Sequence, residues 1–254
     1  MLHRYFIKLL FNGTFYHGWQ IQPNANTVQQ DIECALKILL KRDILITGAG
    51  RTDTGVHAKE FYAHFDFETE FTVTEINKLI YQLNSIISSD IAILSIIPVR
   101  KDAHARFDAI ARTYSYYIHN RKDPFLNNFS FLIPHVLNQE AMQAACRLLY
   151  EYSDFSCFSK SHTQVKTNNC NITFAEWRIQ GHQIIFTIRA DRFLRNMVRA
   201  IVGSMLEIGN NKMDFEGFRK VIESKNRSEA GYSVPACGLF LEKIEYPGDV
   251  FLLS

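Results

Sequence analysis

One order of hydrophobic patterns (strand, helix, strand, strand, helix, strand) runs twice along this chain, and that repetition limits the folds open to it. Residues 4–12 are rich in aromatic and β-branched side chains and end at the turn signal Asn12-Gly13, which reads as a buried strand. Thr27 with Gln30 three residues later forms a capping-box pattern. Val28, Ile32, Ala35, Leu36 and Leu39 then share one helical face to about residue 41. Residues 44–47 read as a short strand entering a glycine-rich turn. Beyond it, Phe61, Ala63, Phe65 and Phe67 alternate with Tyr62, His64 and Asp66, the period of a half-buried strand. Thr72 with Glu75 opens a helix to about residue 87, and residues 91–99 close the half as another buried strand. The second half has a strand at 112–119, a helix from about 138 to 151, and a hairpin of 172–180 and 183–190 turning at Gly181-His182. A helix at 192–208 stopping at Gly209, a shorter helix at about 214–224 and a strand at 238–246 follow.

Each half therefore has the βαββαβ order of a ferredoxin-like split βαβ unit. The expected fold is α+β: two such halves, residues 1–105 and 106–254, forming a joined, mainly antiparallel sheet with helices on one face and a groove on the other. Such a groove suits an extended ligand. With 254 residues, 47% of them apolar and 21% charged, a sizeable core is expected and disorder is excluded. The five cysteines are odd in number, scattered and never spaced C-x-x-C, which argues for reduced thiols rather than a disulfide framework or a zinc site. No run approaches 18 apolar residues and no cleavable leader stands at the N-terminus, so a cytoplasmic location is expected. A net charge of +2 does not advertise a nucleic-acid partner; such a case must rest on local arginines.

The most unusual stretch is residues 48–58, GAGRTDTGVHA, which places three glycines, Arg51, Asp53 and His57 in a loop between two predicted strands. If the chain is extended at Thr52, Arg51 and Asp53 share a face, and the guanidinium would keep the carboxylate ionised, as a nucleophile or charge stabiliser requires. The competing reading is a tight turn in which Asp53 caps backbone amides. A metal site from Asp53, His57 and His64 has suitable ligand types but no supporting ligand spacing, and no P-loop or dinucleotide pattern is present. In the helix expected at 192–208, Arg192, Arg195 and Arg199 recur opposite the apolar face, either as a solvated basic face, as a track for phosphates, or with one arginine turned inward to pair with a catalytic carboxylate. Tyr114 and Tyr116 share one face of a strand, either as core residues or as a stacking surface for bases.

Taken together, these segments closely resemble the tRNA pseudouridine synthase A family. The resemblance rests on residues 50–58 (GRTDTGVHA), 104–109 (HARFDA), the strand with Tyr114, residues 193–209 (FLRNMVRAIVGSMLEIG), residues 238–247 (GLFLEKIEYP) and the opening NGTFYHGWQ at 12–20, in the family's order. It implies an isomerase that converts uridine to pseudouridine at positions 38 to 40 of the tRNA anticodon stem-loop, with no cofactor and no metal. It further implies that Asp53 is the nucleophile, that Tyr114 stacks on the flipped uracil, and that Arg199 pairs with Asp53. Leu239 would wall the pocket, Arg51 would hold the nucleotide out of the stack, and Arg192 and Arg195 would bind substrate. The groove would then bind RNA, and a homodimer holding tRNA across both subunits is implied. The family usually has Gln where Phe61 stands and a basic residue where Thr113 stands. The alternative is a noncatalytic tRNA-binding or RNA-chaperone module.

Overall fold

The computed structural model describes residues 2–160 and 167–252, which divide into two compact units: residues 1–110 with 241–254, and residues 111–240. Among the described residues the architecture is α+β. The first unit runs β1 (His3–Phe11), α1 (Val28–Leu40), β2 (Thr47–Gly48), β3 (His57–Phe67), α2 (Val73–Ile86) and β4 (Ile91–Val99), and later receives β9 (Leu239–Glu245) from residue 241 onward. Its strands lie in the order β4-β1-β3-β9, with β2 paired to β3. β1 is antiparallel to both neighbours, and Tyr5, Phe6, Ile7 and Leu9 along it are buried, as a continuous apolar run in a central strand requires. Arg4 faces Asp66 across the β1–β3 pair and closes a two-pronged ion pair, with Nε and Nη2 each 2.7 Å from a carboxylate oxygen.

Both capping residues expected in this unit do their work. Thr27 accepts from the Gln30 amide, and Thr72 and Glu75 form a complete capping box at α2. Within this unit the sequence-based boundary that moves most is the start of β3. The strand begins at His57, inside the GRTDTGVHA stretch, because Phe11 pairs with Ala58 and draws the end of that loop into the ladder.

The second unit contains β5 (Ala111–His119), β6 (Phe131–Leu132), α3 (Gln139–Ala145), β7 (Ile172–Gln180), β8 (Gln183–Ala190), α4 (Met197–Gly209) and α5 (Phe215–Ser224). Its strands order β5-β8-β7, with β6 parallel to the end of β5. The β7–β8 hairpin turns at Gly181 with φ of 62°, as the Gly-His signal predicts. The helix expected over 138–151 is α-helical only to Ala145 and tightens into a 3₁₀ turn over Cys146–Tyr150. Tyr150 lies against edge strand β7: its hydroxyl accepts from the Ala175 amide at 2.7 Å and donates to the Ala175 carbonyl at 3.1 Å. Gln143 Oε1 accepts from the Trp177 amide at 2.8 Å. Residues 241–254, expected to complete the second half, instead return to the first unit, where Leu241, Ile244 and Val250 are buried.

Candidate active site

The glycine-rich loop between β2 and β3 is held from one side by residues 12–19. The Asn12 side chain accepts from both the amide and the hydroxyl of Thr14, at 3.1 and 2.7 Å, and the Tyr16 amide closes the turn onto Gly13 O. The Gly13 amide then donates to His57 Nδ1 at 3.1 Å, and the Gly55 amide to Tyr16 O at 3.2 Å. Within the loop the Val56 amide donates to Asp53 O at 3.2 Å. This packing leaves no room for side chains at two glycines. A methyl added at Gly13 would lie 2.0 Å from Val56 O, and one at Gly18, whose φ is 88°, would lie 2.2 Å from Thr52 O.

Beneath the loop sits an aromatic layer. Trp19 stacks on Phe61 with ring centroids 4.2 Å apart, Phe11 meets Phe61 edge-on, and all three are buried. Phe61 therefore acts here by packing, its ring held against both Trp19 and Phe11. Tyr16 is buried beside them and donates to Asp31 at 2.7 Å; burial first, and the Asp31 carboxylate after it, push its hydroxyl up to about 12. On this frame Asp53 is half-buried and Arg51 exposed, while the Thr52 hydroxyl is buried with no hydrogen-bond partner among the described residues.

The metal reading weighed for Asp53, His57 and His64 loses its ligands. His57 and His64 both use Nδ1 to accept backbone amides, from Gly13 and Ala105. Among the described residues no group of three or more His, Cys, Asp or Glu is arranged to hold a metal ion. No helix among them is long and apolar enough to cross a membrane.

The other expected site residues belong to the second unit. Tyr114 lies in β5 opposite Ile188, half-buried, with its ring edge-on to Phe193 at 5.1 Å. Tyr116, on the same face, is a core residue: it is fully buried, it donates to Pro235 O at 2.8 Å, and burial raises its hydroxyl well above the ordinary range. Leu239, the first residue of β9, is buried.

The row of three arginines on one helix does not exist. α4 begins at Met197, so Arg192 and Arg195 precede it and only Arg199 is helical. The reason is Asn196, which takes a left-handed conformation (φ 66°) that a helix cannot pass through, and Asp191, whose carboxylate accepts the amides of Asn171 and Arg192. Arg199 is half-buried and donates from Nε to Val234 O at 2.7 Å. The segment carrying Val234 is itself clamped, since Ser233 accepts from Asn196 Nδ2 at 2.6 Å and from Arg227 at 2.9 Å. Nothing in the apolar periodicity of α4 marks this clamp; only Asn196 and the glycines at 203 and 231 hint at it. Two surface cavities of about 690 and 650 Å³, among the helices of this unit, are lined by residues such as Met213, Phe215, Arg147 and Trp177 and contain none of the expected site residues.

Residues 145–247 match the family model described as tRNA pseudouridine synthase, which defines the class as isomerases acting on tRNA. Relatives named tRNA pseudouridine synthase A align over almost the entire chain. The protein from Parabacteroides distasonis is 52% identical over 98% of both chains, and that from Azobacteroides pseudotrichonymphae is 54% identical over 98% of this chain and 99% of its own. A Clostridium perfringens protein named tRNA pseudouridine synthase A 2 is 38% identical over 94% of this chain and 98% of its own. The chain belongs to the tRNA pseudouridine synthase A family.

Proposed function

We propose that this protein isomerises uridine to pseudouridine at positions 38, 39 and 40 of the tRNA anticodon stem-loop, with Asp53 as the nucleophile. The observation that carries the reading is the placement of Asp53: a half-buried carboxylate on a loop fixed by backbone hydrogen bonds from both its own turn and residues 13–16. A reacting group held this way loses little freedom at the moment of reaction. In the proposed reaction the Asp53 carboxylate attacks the target nucleotide and the N1–C1′ bond breaks. The uracil rotates, C5 bonds to C1′ and the bond to the Asp53 carboxylate breaks, which regenerates the free carboxylate; the C5 proton leaves and N1 gains one, so no oxidant and no water are consumed.

Arg51 holds the nucleotide out of the stack, at a cost of a few kcal/mol that is least in a loop or at a stem end. Tyr114 stacks on the uracil and takes part in the later proton transfer. Arg199 holds the charge of the nucleophile and Leu239 walls the pocket. Arg192 and Arg195, outside the helix, contact the RNA backbone. The protein works in the cytoplasm as a homodimer of ferredoxin-like halves on tRNA, which lets a chain of net charge +2 combine arginines from two copies.

The test is carbodiimide mapping with primer extension on an unmodified tRNA transcript. Wild type should give new stops at 38–40. Asp53→Asn should give none, while its tRNA affinity stays within a few-fold. Binding by both proteins without stops would favour the noncatalytic module, and stops with Asp53→Asn would remove Asp53 from its role.

A further inference from the structure

Next to the glycine-rich loop stands an aromatic ring that the proposed reaction leaves unused. Phe15 is 69% exposed, although the turn that carries it is closed by hydrogen bonds on either side of it in the chain. Asn12 accepts two hydrogen bonds from Thr14 just before it, and the Tyr16 amide just after it is bonded to Gly13 O. Exposure alternates along this stretch: Phe15 and His17 face solvent, while Tyr16 and Gly18 are buried. The His17 backbone is also pinned at both ends, its amide on Asn26 O at 2.9 Å and its carbonyl by Gln22 Nε2 at 2.8 Å. The result is a rigid ridge presenting a phenyl ring and an imidazole. It is bonded through Tyr16 O to the amide of Gly55, two residues beyond Asp53, and Arg51 is exposed on the same loop.

We propose that Phe15 stacks on an unpaired base of the RNA substrate beside the target nucleotide, with His17 and Arg51 facing the phosphates that flank it. The inference rests on the tRNA-modifying reading of the loop. An enzyme that removes one nucleotide from a stack leaves its neighbours short of a partner, and an aromatic face replaces that partner whatever the base. Phe15 is suited to this because its backbone is fixed before binding, so only its two side-chain torsions are restricted on contact. A flat ring beside donors and a guanidinium matches a nucleobase attached to phosphate better than it matches an apolar protein surface.

The experiment is steady-state pseudouridine formation on the full-length tRNA transcript with the intact protein and with Phe15→Ala, Phe15→Leu and Phe15→Trp. Phe15→Ala and Phe15→Leu should raise KM on the order of tenfold with kcat within about twofold, because stacking on an exposed ring is uniform binding. Phe15→Trp should restore KM. Melting temperature and mass by light scattering should match wild type in all three. Unchanged KM in Phe15→Ala, rescue by Leu, or a change in mass or melting temperature would overturn the inference, the last two by assigning the ring to a contact between copies or to the core. If wild type forms no pseudouridine, the functional reading fails by itself. Fluorescence anisotropy with labelled tRNA then decides the inference: weaker binding by Phe15→Ala supports it, and equal or absent binding overturns it.

Discussion

Gly18 illustrates how little freedom the proposed nucleophile's loop has. Its φ of 88° disfavours ordinary side chains, and a Cβ there would lie 2.2 Å from the carbonyl oxygen of Thr52, the residue before Asp53. Gly18→Ala should therefore cost about 1–3 kcal/mol of strain, seen as a lower urea midpoint, and should lower kcat because any relief displaces the Thr52–Asp53 peptide. A full-activity Gly18→Ala enzyme would show that this contact does not position the carboxylate. His64 is a second such residue. Burial first, then the charges of Arg4 and His104, hold its imidazole down to about 4, against an ordinary value near 6.5. The folded protein thus keeps His64 neutral, accepting from the Ala105 amide, where the unfolded chain would protonate it. The stability this contributes is complete above about pH 6.5 and is lost as pH falls toward 4. His64→Gln should flatten the decline in urea midpoint between those pH values; an unchanged slope would assign acid sensitivity to other groups.

At the scale of elements, chain segments differ in how much of their structure is written in local pattern. β4 falls where its apolar run puts it and β7 and β8 where the Gly181 turn does, and α1, α2 and α5 follow directly on Thr27, Thr72 and Asp214, the residues whose side chains cap them. α4 did not, because a continuous apolar periodicity through Leu194 and Met197 conceals a single left-handed residue, Asn196. That conformation costs most residues about 1–2 kcal/mol, so Asn196→Ala should destabilise by about that much and Asn196→Gly by less, measured by urea unfolding. Asp53 and its loop were legible as composition, from three glycines beside Arg and Asp. The support from Tyr16, Gly18 and Phe61 was not, since it depends on contacts across tens of residues that no local period records. The β7 edge is similarly nonlocal. Tyr150→Phe removes both hydrogen bonds to Ala175 and should cost about 1–2 kcal/mol and increase light scattering on concentration, since an unpaired edge invites another strand.

On the scale of the whole molecule, the chain leaves its first unit at residue 110 and returns at residue 241 to add β9 beside β3. Glu60 accepts from the Ile244 amide at 3.0 Å, and the Tyr246 hydroxyl donates to Ala105 O, so the returning segment is hydrogen-bonded as well as buried. Ending the chain at residue 240 should therefore deprotect amides of β3 in hydrogen exchange while those of β8 keep their protection; equal protection of β3 would show that β9 is dispensable to it. The same connectivity sets an order of events during synthesis. The ribosome completes the continuous second unit, residues 111–240, before it has made the strand that the first unit still lacks. The half bearing Asp53 is therefore begun before the second unit and completed only after it, once the β9 residues from 241 onward have been made.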